Sequence, residues 1–280
     1  MLINGPRRCA VLGSPIAHSL SPVLHRAAYA AVGLDWSYDA REVREADLAG
    51  FLGTLDETWR GLSLTMPLKR SVVPLLDELS ARAAQARAAN TVVLEDGRRV
   101  GHNTDITGAV AAITERVHTT IDSAVILGGG ATASSVLLAL ADSGCREVTL
   151  VVRDERRAQG ALEAARRHES PPVVHVRGFD EAAIPADILV STIPSEAQTD
   201  EVVQLAADVA TVFDAIYDPW PTHLARFAQS EGRMLISGLD LLVHQACGQF
   251  TLMTGIDDAP LAVMREAGEQ ALAGRPPKSG

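Results

Sequence analysis

A short apolar run that ends in three consecutive glycines constrains this chain more than any other feature. Ala124-Val125-Ile126-Leu127-Gly128-Gly129-Gly130-Ala131-Thr132-Ala133 reads as a strand, a glycine turn and the opening of a helix. Gly128, Gly130 and Ala133 fit the spacing G-x-G-x-x-[G/A], where the backbone can approach a pyrophosphate and set its charge on the positive end of the helix. Glycines also end strands for purely structural reasons, so the reading depends on the surroundings of the turn. Further strands are expected over 147–152, 173–177, 188–191, 211–215 and 234–236, with helices over 106–117, 133–141, 155–168 and 222–229. That alternation is the βα rhythm of a parallel, doubly wound sheet.

A second α/β rhythm precedes it. Strands are expected over 9–12, 36–40, 61–65 and 91–94, and helices over 22–31, 46–55 and 67–88, in an open, largely parallel sheet. The boundary falls near residue 105. Two last helices, about 238–254 and 259–272, could close either half on pattern alone. The tail 273–280 is rich in Gly and Pro and reads as loose.

The end of the second strand in the glycine-turn half bears on cofactor choice. An Asp or Glu about 20 residues past the motif binds the 2′-hydroxyl of NAD, whereas an Arg accommodates the extra phosphate of NADP. Counting on from Ala133 reaches Val152-Arg153-Asp154-Glu155-Arg156-Arg157. Arg153 sits at the strand end, where a planar guanidinium suits a phosphate, and Arg157 follows one turn later. Asp154 serves as an N-cap in the plain structural reading, and as the acidic NAD selector in the alternative one.

In the first half, four segments fall at strand ends or helix starts, where an open α/β sheet builds its ligand crevice. They are Gly13-Ser14-Pro15-Ile16-Ala17-His18-Ser19-Leu20-Ser21-Pro22, Leu64-Thr65-Met66-Pro67-Leu68-Lys69, Ala89-Asn90-Thr91 and Gly101-His102-Asn103-Thr104-Asp105. Of 25 basic residues only Lys69 and Lys278 are lysines. Arginine stays protonated, while a lysine in a desolvated site can give up and regain its proton. Lys69 therefore suits an acid–base step at a carbonyl that accepts hydride. Asp105 is its natural partner, although Thr104 or Asp105 would also cap the following helix. Ser19 and Ser21 could bond a carboxylate, but Ser21-Pro22 is also an ordinary helix entry.

Composition narrows the rest. The chain is 47% hydrophobic and 21% charged with a net charge of −10, which argues against a nucleic-acid groove and leaves room for a small anionic ligand. Cys9, Cys145 and Cys247 lie far apart, with no Cys/His cluster for zinc and no disulfide framework, so no metal is expected. Arg7-Arg8 before an apolar run looks like the opening of a signal peptide, but Gly13-Ser14-Pro15 ends that run too early. No window is long enough to span a membrane. A cytoplasmic protein, monomer or homodimer, is the expectation.

Taken in order, the segments resemble the shikimate dehydrogenase family over nearly the whole chain. Pro15 to Pro22 is similar to its P-I-x-H-S-x-S-P segment, and Ser63 to Lys69 to N-V-T-x-P-x-K. Ala88 to Thr91 and Asn103 to Asp105 correspond to A-x-N-T and N-T-D, and Tyr217-Asp218-Pro219, Gly238-Leu239 and Gln245-Ala246 to later segments. The resemblance implies NADPH-dependent reduction of 3-dehydroshikimate to shikimate in aromatic amino-acid biosynthesis. It implies Lys69 as catalytic acid–base with Asp105. It implies Ser19, Ser21, Thr65 and Tyr217 around the substrate carboxylate, and Asn90, Asp105 and Gln245 on the ring hydroxyls. Gly128, Gly129, Gly130, Ala131, Thr132, Arg153 and Arg157 would hold NADP, with Gly238 near the nicotinamide. It also implies a substrate domain of 1–105 and 238–280, with 106–237 as a Rossmann-type nucleotide domain. Ser63, Ala131 and Val152 depart from the usual Asn, Gly and Asn. NAD-dependent quinate or shikimate oxidation, which Asp154 keeps open, and a catalytically silent nucleotide-binding sensor are the alternatives.

Overall fold

Two sets of apolar strands build two separate sheets. The computed structural model describes residues 5–180 and 185–275. The first unit opens with β1 (Arg8–Gly13), α1 (Ser21–Ala31) and β2 (Ser37–Glu42), and a 3-10 turn leads into α2 (Leu48–Gly53) and β3 (Trp59–Leu64). β1 lies between β2 and β3 and is parallel to both. β3 is buried along its whole length, as expected for a strand covered on both faces.

The stretch expected as one helix over 67–88 is broken. It holds α3 (Leu68–Ser71), a 3-10 turn at Val73–Leu75, the short β4 (Glu78–Leu79) and α4 (Ala81–Ala86). Pro74 lies inside that turn, where it lacks an N–H and its ring excludes the preceding carbonyl, so the helix cannot continue. Ser80 restarts the chain as the N-cap of α4, accepting from the Ala83 N–H at 3.3 Å.

The sheet is also less parallel than its rhythm suggests. β5 (Thr91–Glu95) and β6 (Arg98–His102) form an antiparallel hairpin, and β5 runs antiparallel to β3. Asp96 (φ 50°) and Gly97 (φ 74°) both take the left-handed conformation that a tight hairpin turn demands. The strand order is β2-β1-β3-β5-β6-β4. This antiparallel pair is useful to the site. The start of β5 and the end of β6 lie level with the end of β3, with Ser63 opposite Thr91 and Thr91 opposite His102.

After α5 (Thr104–Arg116) the second unit runs through β7 (Ser123–Leu127), α6 (Ala131–Asp142), β8 (Glu147–Val151), α7 (Gln159–Arg166), β9 (Val173–Arg177) and β10 (Ala186–Ser191). It continues with α8 (Asp200–Gln204), β11 (Val209–Asp214), α9 (His223–Ser230) and β12 (Met234–Ile236). Every strand pair here is parallel, in the order β12-β11-β10-β7-β8-β9. The central β7, β8 and β10 are buried over most of their length, while the edge strand β9 alternates exposed and half-buried positions. α8 and a 3-10 turn at Ser195–Ala197 were not expected from the apolar pattern, and the 155–168 helix opens as a 3-10 turn.

The chain closes with α10 (Gly238–Thr254) and α11 (Leu261–Ala273). One compact unit takes the residues through Gly108 together with Leu242–Arg275, and the other takes Ala109–Leu241, so the divide falls inside α5 and inside α10. α11 packs on α1 within the first unit. Of the tail expected to be loose, Ala273 ends α11, and Arg275 Nη2 donates to His18 O at 2.7 Å. Residues 276–280, with Lys278, lie outside the described ones.

Candidate active site

In the first unit the site is built on the ends of β3, β5 and β6. α3 has only four residues, too short for intrinsic stability, and is anchored by the fully buried Leu68. Burying such a side chain is worth about 2 kcal/mol. The next residue, Lys69, places Nζ 2.6 Å from Asp105 Oδ2, with the two side chains 15% and 6% exposed. Both charges are largely desolvated, so each depends on the other and on added hydrogen bonds.

Asp105 is available for this pairing because another residue caps its helix. Asn103 Oδ1 accepts from the Ile106 N–H at 3.4 Å, and Asn103 Nδ2 donates to Ala88 O at 3.0 Å. The first turn of α5 therefore places the Asp105 carboxylate at the helix's positive end, free to face Lys69. Asn90 Nδ2 donates to Asp105 Oδ1 at 2.9 Å and also meets Gln245 Oε1 at 3.1 Å. Gln245 reaches this point because α5 and α10 approach closely. A Cβ on Gly108 would stand 2.7 Å from the Gln245 backbone nitrogen, so only glycine fits there.

Lys69, Asp105, Asn90 and Gln245 thus form one cluster. Thr65 is half-buried on the loop before α3, where its N–H donates to Leu12 O at 2.9 Å and Ser14 N–H donates to Met66 O at 3.1 Å. These bonds tie the segments after β1 and β3 together. Ser19 is half-buried and accepts from the Ser21 N–H at 3.3 Å, and Ser21 is buried at the start of α1. Tyr217 belongs to the second unit, half-buried on the loop after β11.

That loop hangs from a buried carboxylate. Asp214 Oδ2 accepts from Thr222 Oγ1 at 2.5 Å and Gln198 Nε2 at 3.0 Å, while Oδ1 accepts from Ile216 N at 3.2 Å. Burial pushes the Asp214 carboxyl above the usual range against these three bonds. Gly238 presses on the same loop, since a Cβ there would stand 2.6 Å from both the Ala215 and Ile216 carbonyl oxygens. Its lack of a side chain therefore has a packing cause of its own.

The glycine turn joins β7 to α6. Gly128 has a φ of 105°, and a Cβ on Gly129 would strike the Arg157 carbonyl. A Cβ on Gly130 would meet nothing within 4 Å, and this residue caps α6 with no side chain of its own. The open side at Gly130 and the helix start at Ala131 and Thr132 fit a pyrophosphate. Arg153 and Arg157 are exposed beyond β8. Asp154 between them is committed elsewhere: it accepts from the Arg156 N–H at 3.0 Å and pairs with that guanidinium, which lowers its carboxyl below the usual value. Among the described residues no group of three or more His, Cys, Asp and Glu could hold a metal ion, and no helix is long and apolar enough to cross a membrane.

Reading the sequence missed a polar column behind the cluster. Thr104 N–H donates to Asn90 Oδ1 at 2.8 Å, and Gln249, Ser63, Tyr38 and His25 continue inward from Asn90. Gln245 and Gln249 stand four residues apart on α10, a spacing that puts both on one helix face. That spacing was the available signal.

A six-stranded parallel sheet whose strand order reverses beside a glycine βα turn is the dinucleotide-binding class of α/β fold. Residues 11–92 match the family described as the shikimate dehydrogenase substrate binding domain, and residues 238–267 match the shikimate 5′-dehydrogenase C-terminal domain. The chain is 36% identical to a shikimate dehydrogenase (NADP(+)) of Moorella thermoacetica, over 94% of this chain and 92% of that one. Among solved structures, Mycobacterium tuberculosis shikimate dehydrogenase superposes with a TM-score of 0.86 at 39% identity, covering 95% of this chain and 100% of that one. The Thermus thermophilus shikimate 5-dehydrogenase in complex with NADP(H) and shikimate gives 0.84 at 31% identity, covering 95% and 100%. The chain belongs to the shikimate dehydrogenase family.

Proposed function

We propose that this chain catalyses the reversible reduction of the C3 ketone of 3-dehydroshikimate to the alcohol of shikimate, with NADP as its cofactor. The observation that carries the reading is the desolvated Lys69–Asp105 pair at 2.6 Å, bordered by the Asn90 and Gln245 amides. When bound, NADPH supplies the hydride. Lys69 Nζ donates a proton to the ketone oxygen as negative charge develops there, and takes one back in the oxidative direction. Asp105 fixes the ammonium in place and accepts from a ring hydroxyl. The Asn90 and Gln245 amides can donate to and accept from the remaining hydroxyls. Ser19, Ser21 and Thr65 offer hydroxyls to the substrate carboxylate, with Tyr217 as a further donor.

The turn Gly128, Gly129, Gly130, Ala131 and Thr132 receives the pyrophosphate, and Gly238 leaves room beside the nicotinamide. Arg153 and Arg157 bind the 2′-phosphate. The commitment of Asp154 to Arg156 supports NADP over NAD, because that carboxylate already has its partner. Residues 1–105 with 238–280 would then be the substrate domain and 106–237 the nucleotide domain of a cytoplasmic enzyme, monomeric or homodimeric.

Spectrophotometric assay with shikimate and NADP+ tests the reading directly. Lys69→Ala retains shikimate binding and loses roughly 10²–10⁴ in kcat, the range for a placed acid–base group. Near-normal turnover removes Lys69 from the chemistry. Arg153→Ala lowers kcat/KM for NADP+ far more than for NAD+; equal losses count against the phosphate assignment.

A further inference from the structure

Gln249 is 1% exposed and joins the Lys69–Asp105 pair to the interior of the first unit. Its Nε2 donates to Asn90 O at 3.0 Å and to Thr91 Oγ1 at 3.2 Å. Its Oε1 accepts from Ser63 Oγ at 2.8 Å and faces His25 Nε2 at 3.4 Å. Thr91 Oγ1 in turn lies 2.9 Å from Asn90 Oδ1.

Two main-chain groups fix the orientation of the two amides in this run. The Asn90 carbonyl can only accept, so the Gln249 amide must turn its NH2 that way and its oxygen toward Ser63 and His25. The Thr104 N–H can only donate, so Asn90 must present Oδ1 to it at 2.8 Å and Nδ2 to Asp105. Thr91 receives a hydrogen from Gln249 and passes its own to Asn90 Oδ1. The His25 Nε2–H tautomer completes the sequence, leaving Nδ1 as the atom without a partner. The imidazole is stacked on Tyr38 with centroids 4.1 Å apart, and neutrality suits such burial.

We propose that Gln249 is a positioning residue for the Lys69–Asp105 pair. Its amide backs, through the Asn90 carbonyl and Thr91, the Asn90 orientation that the Thr104 N–H sets, and so holds Nδ2 on Asp105, which meets a donor at each oxygen. Asn90 serves Oδ1 and Lys69 serves Oδ2. The inference rests on the reading of Lys69 and Asp105 as the reacting pair, and deepens it.

Two variants test it. Gln249→Met keeps the volume and removes the amide. Thr91→Val keeps the Gln249–Asn90 bond and removes only the hydroxyl, so it decides the matter should Gln249→Met fail to fold. The first readout needs no turnover: hydrogen exchange of the Asn90 side-chain NH2 by NMR in the ligand-free protein, with the signal assigned by its loss in Asn90→Ala. Both variants exchange these hydrogens about tenfold faster, the factor that one lost hydrogen bond carries. Thr91→Ser, which retains the hydroxyl, restores the slow exchange. The second readout is kcat and KM for shikimate across pH. Both variants lower kcat about tenfold, a fraction of what the acid–base pair supplies, with a smaller change in KM and a displaced limb of the pH profile. The double variant is no worse than either single one, since both cut the same run. Wild-type exchange and a wild-type pH profile in both variants overturn the inference. If the wild-type chain fails to turn over shikimate, the proposed function falls, and the Asn90 exchange alone still decides whether Gln249 positions this amide.

Discussion

At the scale of single residues, burial sets the strongest dependence on pH. His25 is fully buried, and desolvation holds its pKa at about 4 against an ordinary 6.5, only partly offset by its bond to Gln249. The unfolded chain therefore takes up a proton as pH falls below 6.5, while the folded chain resists doing so until about 4. Stability from this group is complete above the unfolded value and is lost as pH falls through that window. The interval corresponds to about 3 kcal/mol at its acid end. Urea unfolding at pH 7 and at pH 4.5 should show this loss. His25→Phe keeps a ring against Tyr38 but has no proton to bind, so the difference between the two pH values should shrink by a comparable amount. An unchanged difference in that variant would mean that the imidazole is not what makes the first unit acid-sensitive. The same residue shows why the interior was hard to read in advance. A lone histidine in an amphipathic helix gives no sign of what it stacks on, and its partners Tyr38 and Gln249 are distant in the chain.

At the scale of elements, the parallel half was legible and the hairpin was not. The apolar runs of β7, β8, β10 and β11 announce themselves because strands covered on both faces need continuous apolar residues. α10 was readable to its ends, and the pairing of Lys69 with Asp105 followed from where the strands stop. β6 was passed over because Arg98 and Arg99 hide its alternation, although Asp96-Gly97 is a strong hairpin turn signal. The helix over 67–88 failed at Pro74, a residue whose missing N–H should have divided it. The hairpin matters because β6 delivers Asn103, Thr104 and Asp105 beside Asn90. Its turn offers a clean energetic test. A Cβ on Gly97 would meet nothing within 4 Å, so Gly97→Ala carries only the cost of a left-handed backbone at φ 74°. That cost is about 1–2 kcal/mol. Chemical denaturation should show this loss while shikimate turnover at 25 °C stays near wild type. A neutral effect on stability would mean that the turn relaxes to another type.

At the scale of the whole molecule, the proposed ligand contacts other than Tyr217 sort by unit, substrate to the first and nucleotide to the second. Lys69, Asp105, Asn90 and Gln245 all lie in the unit built from the residues through Gly108 and from Leu242–Arg275. The glycine turn, Arg153 and Arg157 all lie in Ala109–Leu241. A ligand that binds only the folded form stabilises what it binds by about 2.7 kcal/mol at 100 times its Kd. Amide hydrogen exchange should therefore respond unit by unit when each ligand is added alone. Shikimate should slow the amides around Asn90 and Thr104, where β5 and α5 begin. NADP+ should slow those from Gly130 to Ala133, at the start of α6, where the N-cap Gly130 supplies no side chain. Arg153→Ala should weaken the second response and leave the first intact. The reverse pattern, with NADP+ protecting the start of β5 and shikimate the glycine turn, would reverse the assignment of the two units. In that case the Lys69–Asp105 pair would have to be explained as a purely structural ion pair, held at the end of β3 by Asn90 and Gln245.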